Sequence, residues 1–461
     1  QRSSPQQLMQ FRAPWLQARM PLIASAGWDA LVVPLSYGFV YHWHHGNWPQ
    51  GGFALPLYLG LWLAWSYLLG RYSKTSEHSR ITPNRLILLI ALILLLLTSV
   101  LGGAWLLKIP LTITGLRSQQ LPFLLMASLC SWSGQLLLLR AAIDQRRWLM
   151  VASAPEQQLL LNLLPALKAT IWNLEQLEHC SASQLTEFQG VAISEQLPLS
   201  LENLEELMLA RSQGLPCTTL VNWCEAQLQR VPPELFCRKS LLIGDGFQFQ
   251  PGRFSWRLKR SGDVFIAASL LLLSSPILLL MALLIKLQDG GPIFYYQIRS
   301  GLYGQIFTLA KLRSMQVNAE QGGPRWASHK DERITPLGHW LRRTRIDELP
   351  QLWSVLRGDM SLIGPRPERP EFEIELERSI PHYCLRHWLR PGLSGWAQVC
   401  HPYGASVADA REKLSYDLYY LRNGNPLLDV LILIKTIRLV VLARGSIPLD
   451  LSPQFCNSSQ P

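Results

Sequence analysis

Through its first third the chain alternates long apolar runs with short basic stretches. The runs occupy residues 21–41, 51–70, 86–107 and 121–139. Each is long enough, at a rise of about 1.5 Å per residue, to cross a hydrocarbon core of about 30 Å, so the pattern predicts four transmembrane helices. Arg2, Arg12 and Arg19 precede the first run, Arg71, Lys74, Arg80 and Arg85 separate the second from the third, and Arg140, Arg146 and Arg147 follow the fourth. The positive-inside rule therefore expects both ends of this region in the cytoplasm. Asp29 is costly inside an apolar run and is read as a helix-packing group, because no other acidic residue lies in these runs. The stretch HWHHGNWPQ at 42–50 reads as an interfacial loop in preference to a metal site, despite its histidines.

The pattern then changes. At 148–245 a soluble-looking insert opens with WLMVASAPEQQLLLNLL, the signature of a strand, a turn and an amphipathic helix. Farther on, the 22 residues 264–285 carry no charge, yet Arg257, Lys259 and Arg260 precede them and Arg299, Lys311 and Arg313 follow. Both flanks prefer the cytoplasm, which a re-entrant helix bent at Ser275 and Pro276 satisfies. Proline removes one backbone hydrogen bond, and Ser274 or Ser275 can bond to the freed carbonyls. Residues 426–443 set Asp429, Lys435 and Arg438 among branched apolar residues, which suits a helix lying in the headgroup plane. The expected domains are a four-helix membrane region (1–147), the insert and connector (148–245), a catalytic region (246–448) and a polar tail (449–461).

Composition agrees with a membrane protein. Of 461 residues 48% are hydrophobic, 17 are Trp and only 16% are charged. The net charge of +11 is dispersed and abuts apolar runs, which suits anionic headgroups and phosphorylated substrates; no nucleic-acid motif is present. The 8 cysteines, Cys237 among them, form no CxxC pair, so neither a zinc site nor a disulfide framework is indicated. No cleavable signal peptide is apparent, and insertion is expected to rest on the helices themselves.

Chemistry concentrates at 346–368, IDELPQLWSVLRGDMSLIGPRPE. Leu349, Leu352, Trp353 and Leu356 recur at helical spacing, and Pro350 is tolerable only in a first turn, so Asp347 and Glu348 fall at a helix N-terminus that is expected to aim them without burying them. Gly364, Pro365, Arg366 and Pro367 make a rigid turn suited to a phosphate clamp. On local sequence alone, Asp347 serves equally well as a helix cap.

Further segments appear in a fixed order: KRSGDVF, GGPIFYYQIRSGLYGQIF, KLRSM, DERITPLG, IDELPQLW, GDMSLIGPRPE, RPGLSGWAQV and KLSYDLYYLRNGNPLLD. Together they resemble the bacterial sugar transferases that act as polyprenyl-phosphate hexose-1-phosphate transferases, over about two-fifths of the chain. Ser354 stands where that pattern usually has Asn, and His339 and Trp340 replace its usual pair. The resemblance implies a mainly α membrane protein with a smaller α/β insert, and a catalytic domain with a re-entrant helix and interfacial helices. It implies Asp347 as a nucleophile that takes a sugar-phosphate from a UDP-sugar, releases UMP and passes the group to undecaprenyl phosphate, with Glu348 holding metal or positioning the acceptor. Mg²⁺ is the expected cation, with Asp347, Glu348 and Asp417 as candidate ligands and Lys311, Arg313 and Arg366 as neutralising groups. Pro365, Arg299 and Gln351 complete the candidate substrate contacts, and Trp396 and Gln398 meet either the substrate or the core. The larger members of the family carry a nucleotide-fold-like domain where the insert lies, but Ala152, Ser153, Ala154 and Pro155 stand where a phosphate loop needs glycine, which favours a structural or regulatory role. The expected location is the bacterial inner membrane with the catalytic region in the cytoplasm, among membrane lipids; sugar identity and homo-oligomerisation stay open. Two other readings remain, a glycosyltransferase that releases UDP and a non-enzymatic membrane scaffold for polysaccharide assembly.

Overall fold

The computed structural model describes residues 14–17, 19–49, 54–72, 83–106, 116–141, 147–163, 169–178, 180–236, 254–317, 319, 331–401 and 406–441. The polar tail, Cys237 and the basic residues at 2, 12, 74, 80 and 146 lie outside them. The chain forms two compact units, one comprising residues 16–147 with 163–169, the other the remainder.

Four apolar helices build the first unit: α1 (Met20–His45), α2 (Ala54–Leu69), α3 (Pro83–Leu106) and α4 (Leu121–Ala141). By length and composition Met20–His45 and Ser118–Leu138 suffice to cross a membrane, while Leu55–Leu69 and Ile87–Gly103 are shorter apolar helices. Val33, Trp62, Leu92, Leu96, Phe123 and Ala127 pack between them. Asp29 has the packing role read from the sequence. It is fully buried and accepts hydrogen bonds from Tyr72 Oη (2.7 Å), Trp62 Nε1 (3.1 Å) and Arg71 Nη1 (3.5 Å). The three histidines differ from the loop reading, since His42, His44 and His45 form the last turn of α1, which a left-handed Gly46 ends. His45 meets the side chain of Gln119, and His42 stacks on Trp48.

The insert begins as its pattern requires, with strand β1 (Trp148–Val151) followed by helix α5 (Ala154–Leu163). Strands β2 (Ala169–Trp172), β3 (Gly190–Ile193) and β4 (Cys217–Thr219) complete a sheet of order β2-β1-β3-β4, in which β3 runs parallel to both β1 and β4. Helices α6 (Leu201–Ser212) and α7 (Leu220–Gln227) start from Ser200 and Thr219, whose side chains cap them. Strand order reverses between β1 and β3, where a nucleotide fold binds its ligand. There Glu156, in the first turn of α5, accepts from Ser153 N (2.9 Å), Ser153 Oγ (2.7 Å) and Ser194 Oγ (2.7 Å). The bond to Ser153 N is the Glu half of a capping box, and the bond from Ser194 ties the start of α5 to the residue after β3.

The catalytic region opens with α8 (Phe254–Asp289), one helix with Pro276 inside it and a mostly exposed apolar surface. Pro276 leaves the carbonyl of Leu272 without its helical donor, and Ser275 Oγ supplies one at 2.7 Å, as the sequence reading anticipates. Arg260 donates to the carbonyls of Val355 (2.6 Å) and Leu356 (2.9 Å), and Asp263 accepts from Ser361 Oγ (2.7 Å) and Leu362 N (3.3 Å). Past the proline, Met281 and Ile285 pack with Leu312, Leu341 and Ile346. An antiparallel hairpin follows, β5 (Phe294–Ser300) with β6 (Ile306–Leu312), then α9 (Pro336–Thr344), a 3-10 turn (Ile346–Gln351) and α10 (Leu352–Arg357). Strand β7 (Ser361–Ile363) pairs in parallel with β8 (Gly392–Ser394), with α11 (Pro370–Ser379) between them in sequence. Three helices close the region: α12 (Trp396–Cys400), α13 (Val407–Asn423) and α14 (Pro426–Val441). On α14, Leu428 and Ile432 face inward, whereas Leu427, Val430, Ile434, Ile437 and Val441 form an exposed stripe at helical spacing.

Candidate active site

The carboxylate pair stands in the first turn of the 3-10 segment as expected, but Pro350 lies inside the segment and not in its first turn, so a backbone donor is missing there just before α10 begins. Arg345, just before it, takes a left-handed conformation (φ 56°), a turn that lets the chain leave α9 and start afresh. Burial departs from expectation. Asp347 is only 6% exposed and Glu348 8%, so the segment encloses the pair instead of presenting it. The apolar stripe also shifts, because Leu352 and Val355 are buried while Trp353 is 62% exposed.

Enclosed charge needs partners, and Glu348 has three. Arg366 Nη2 donates to it at 2.7 Å, Arg345 lies at 3.4 Å and Lys311 Nζ at 3.5 Å. Burial opposes ionisation of Glu348, yet Arg366, Lys311 and Arg345 together hold it well below the usual carboxylate range. Asp347 moves the other way. Burial and then the adjacent Glu348 charge push it up to about 6, against the pull of Lys311, Arg342 and Arg366. Burial lowers Lys311 from its ordinary value, with Glu348 resisting. The two neighbouring carboxyls are thus driven apart, Glu348 downward by its cations and Asp347 upward by burial and the adjacent charge.

The turn that carries Arg366 is fixed by backbone. Gly364 N donates to Ser394 O (2.9 Å) and Gly392 N to Pro365 O (2.8 Å). These bonds join GPRP to RPGLSG so closely that a Cβ at Gly392 would lie 2.1 Å from Gly364 N, which is why glycine stands at both 364 and 392. Ser300 N donates to Glu368 O (3.1 Å), and Arg299 Nη1 to Pro367 O (3.0 Å). Arg386 Nη2 donates to Arg366 O at 2.8 Å and lies 3.3 Å from Asp417 Oδ2.

Of the residues singled out by sequence, the structure thus gathers Asp347, Glu348, Lys311, Arg366 and, through the turn, Pro365. Others stand elsewhere. Arg313 pairs with Asp289 at the end of α8. Arg299, by contrast, stays beside the site: it braces the Pro367 carbonyl of the Arg366 turn, pairs with Glu368 at 3.7 Å, and its charge acts on both Arg366 and Lys311. Asp417 is committed to Arg386, and burial raises its carboxyl to about 6. It does not join Asp347 and Glu348, and among the described residues no three acidic, histidine or cysteine side chains gather as a metal site. Gln351 is buried close in sequence to Asp347, and its Nε2 has no hydrogen-bond partner among the described residues. Trp396 belongs to the core, fully buried and stacked on Tyr419, while Gln398 Nε2 turns back to Leu393 O at 3.5 Å. The sequence reading missed Arg345, Arg342 and Arg386. A signal existed for the first two, since LRRTR runs directly into the carboxylate pair.

Residues 254–443 match the family model described as bacterial sugar transferase. An exopolysaccharide production protein, ExoY, of Sinorhizobium fredii is 39% identical over 203 residues, which cover 41% of this chain and 87% of that relative. The chain belongs to the bacterial sugar transferase family. Another family member, the UDP-N-acetylgalactosamine-undecaprenyl-phosphate N-acetylgalactosaminephosphotransferase of Aeromonas hydrophila, is 47% identical over 189 residues, or 41% of this chain and 45% of the relative. A third, the UDP-glucose:undecaprenyl-phosphate glucose-1-phosphate transferase of Escherichia coli K12, is 37% identical over 182 residues, 39% of each chain. In these two transferases the matched segment spans less than half of the relative's length.

Proposed function

We propose that this sugar transferase moves a sugar-1-phosphate from a UDP-sugar to undecaprenyl phosphate through a phospho-aspartyl intermediate on Asp347. The observation that carries the reading is the split carboxyl pair, Glu348 ringed by Arg366, Arg345 and Lys311, with Asp347 beside it and poised near pH 6. Asp347 attacks the phosphorus that bears the sugar. An Asp oxygen–phosphorus bond forms, the bond to the bridging diphosphate oxygen breaks, and UMP leaves with that electron pair. Undecaprenyl phosphate then attacks the same phosphorus, giving the diphospho-sugar lipid and restoring the carboxylate. Arg366 and Lys311 meet phosphate charge that a second anion would otherwise repel. Detection of UMP, not UDP, among the products, together with a sugar-phosphate mass on the peptide containing Asp347, tests the reading. UDP as the sole nucleotide product rejects it.

Mg²⁺ fits the donor set, because it commonly takes one or two hard carboxylates plus substrate phosphates. Asp347 and Glu348 would hold it, and when bound it supplies charge neutralisation at the diphosphate. Chelation is expected to stop turnover and added Mg²⁺ to restore it; full turnover in excess chelator removes the metal from the proposal.

The pH profile has a definite sign. Asp347 reacts as the carboxylate, so kcat/KM is low in acid, rises through about pH 6 and levels above it. An unperturbed aspartate would place that rise near pH 4, and bound Mg²⁺ also draws it down, so a limb that stays near pH 4 as Mg²⁺ is lowered to the least that supports turnover refutes the enclosed-pair account.

Position in the membrane follows the same reading. Arg260 grips the end of α10, and Met281 and Ile285 pack with Ile346 a few turns earlier in that helical stretch. A straight helix would hold Arg260 and Met281 about 30 Å apart, whereas a bend at Pro276 lets both reach one short segment. The exposed apolar stripe on α14 suits the headgroup plane. With native cysteines replaced, cysteines introduced at 257 and 299 are both expected to resist an impermeant external reagent in intact cells. Labelling at 299 alone would establish a full crossing.

A further inference from the structure

Helix α13 lies between the insert and the turn that carries Arg366, and it is bound on both sides. Toward the insert, Glu225 on α7 accepts from Arg422 Nε (2.6 Å) and Asn423 Nδ2 (3.0 Å), and Asn222 Oδ1 accepts from Arg422 Nη2 (3.2 Å). Glu225, Arg422 and Asn423 are all buried. The connector then runs along the helix, where Val231 N donates to Ser415 O (2.8 Å), Arg411 meets Glu234 (3.3 Å) and Arg230 pairs with Glu412. Toward the site, Asp417 of the same helix faces Arg386, which donates to the Arg366 carbonyl.

A second route ends at the same turn. Gln229, in the left-handed region at φ 56°, accepts a 2.9 Å hydrogen bond from Trp396 Nε1. Trp396 follows Gly395, whose backbone is so close to Gly364 that a Cβ there would lie 2.2 Å from the Gly364 carbonyl. Glu225 and Gln229 lie outside the region shared with the family, residues 254–443, while Arg422, Asn423 and Trp396 lie inside it. The insert therefore lies outside the part of the chain that the family model describes.

We propose that the insert is a positioning part of the active site, in which Glu225 seats α13 through Arg422 and Asn423 and so sets the place of the Arg366 turn. Removing one member of a buried ion pair leaves the other charged and uncompensated, so the helix end must shift to reach water. Asp417 and Arg386 carry that shift to the turn.

The catalytic consequence rests on the transfer reading above, but the decisive measurement does not. Hydrogen exchange is followed in the full chain in detergent, for wild type and Glu225→Gln. Amides of 363–368 are expected to exchange about five times faster in the variant or more, while those of the β5–β6 hairpin keep wild-type rates. With turnover present, KM for the sugar nucleotide rises about fivefold and kcat changes less than about twofold. The charge swap Glu225→Arg with Arg422→Glu is expected to restore both readouts, which a loss of bulk stability would not predict. Unchanged exchange at 363–368, or loosening spread evenly over the region, overturns the proposal. If Glu225→Gln does not fold, the swap decides: a folded swap with wild-type exchange at the turn supports the proposal, and a loosened turn or an unfolded swap rejects it. A wild-type chain without transfer activity would defeat the transfer reading and leave the exchange result to judge this one.

Discussion

Asp347→Asn is expected to lower turnover of a UDP-sugar with undecaprenyl phosphate to less than about a hundredth of wild type, and at the same time to leave stability unchanged or raise it. Two properties of the side chain produce this pairing. The amide keeps the shape of the carboxylate but cannot form the ester with phosphorus, so the first half-reaction has no nucleophile. Asp347 also sits where its charge is disfavoured, first by burial and then by Glu348, which is why its carboxyl rises to about 6. A neutral amide removes that conflict. The checks are a steady-state assay, a mass measurement for the enzyme-bound sugar-phosphate and a thermal melt of the same preparation. Retention of more than about a hundredth of the rate means that Asp347 is not the nucleophile. A strongly lowered melting temperature with lost turnover would mean that it acts through structure.

Gly364→Ala should be nearly as damaging, from the opposite cause. An alanine Cβ at this position would stand 2.2 Å from the Arg390 carbonyl oxygen and 3.0 Å from Gly392 N, and both atoms belong to backbone that cannot swing aside. To make room, β7 and β8 must part, which stretches the Gly364 to Ser394 and Gly392 to Pro365 hydrogen bonds. Overpacking of this kind costs about 1–3 kcal/mol, with about 1 kcal/mol more for each hydrogen bond lost. The turn also carries Arg366, so a displacement near an ångström is expected to lower kcat/KM by about a hundredfold. Thermal unfolding in detergent measures the first effect, and initial rates at subsaturating substrate the second. Wild-type values in both would show that the two backbones separate easily.

Local pattern made some of this legible in advance and left other parts hidden. Uninterrupted apolar runs located the four helices of the first unit and α8, because such runs are legible without any tertiary partner. Pro276 and Ser275 could be paired from sequence, since the orphaned carbonyl lies within one turn. The proximity of Asp347 and Glu348 was equally visible, being a matter of adjacent residues. Their enclosure was not. It depends on Lys311 from a hairpin strand, Arg345 from a helix end and Arg366 from a distant turn, and only tertiary pairing brings those three cations together. Asp417 shows the same limit, because a carboxylate in a stretch that resembles the family pattern reads as a ligand until Arg386 is found beside it. Arg313 looked equivalent to Lys311 two residues away, yet the two part company, one to Asp289 and the other to Glu348.

The carboxylate of Glu156 gives the insert a chemical character of its own. A diphosphate entering between β1 and β3 would have to evict a group already satisfied by Ser153 and Ser194, and would meet like charge on the way in. A compound shaped to imitate the sugar nucleotide is therefore expected to bind poorly at this switch point, and Glu156→Gln, which keeps the shape and removes the charge, is the variant that would reveal any berth there.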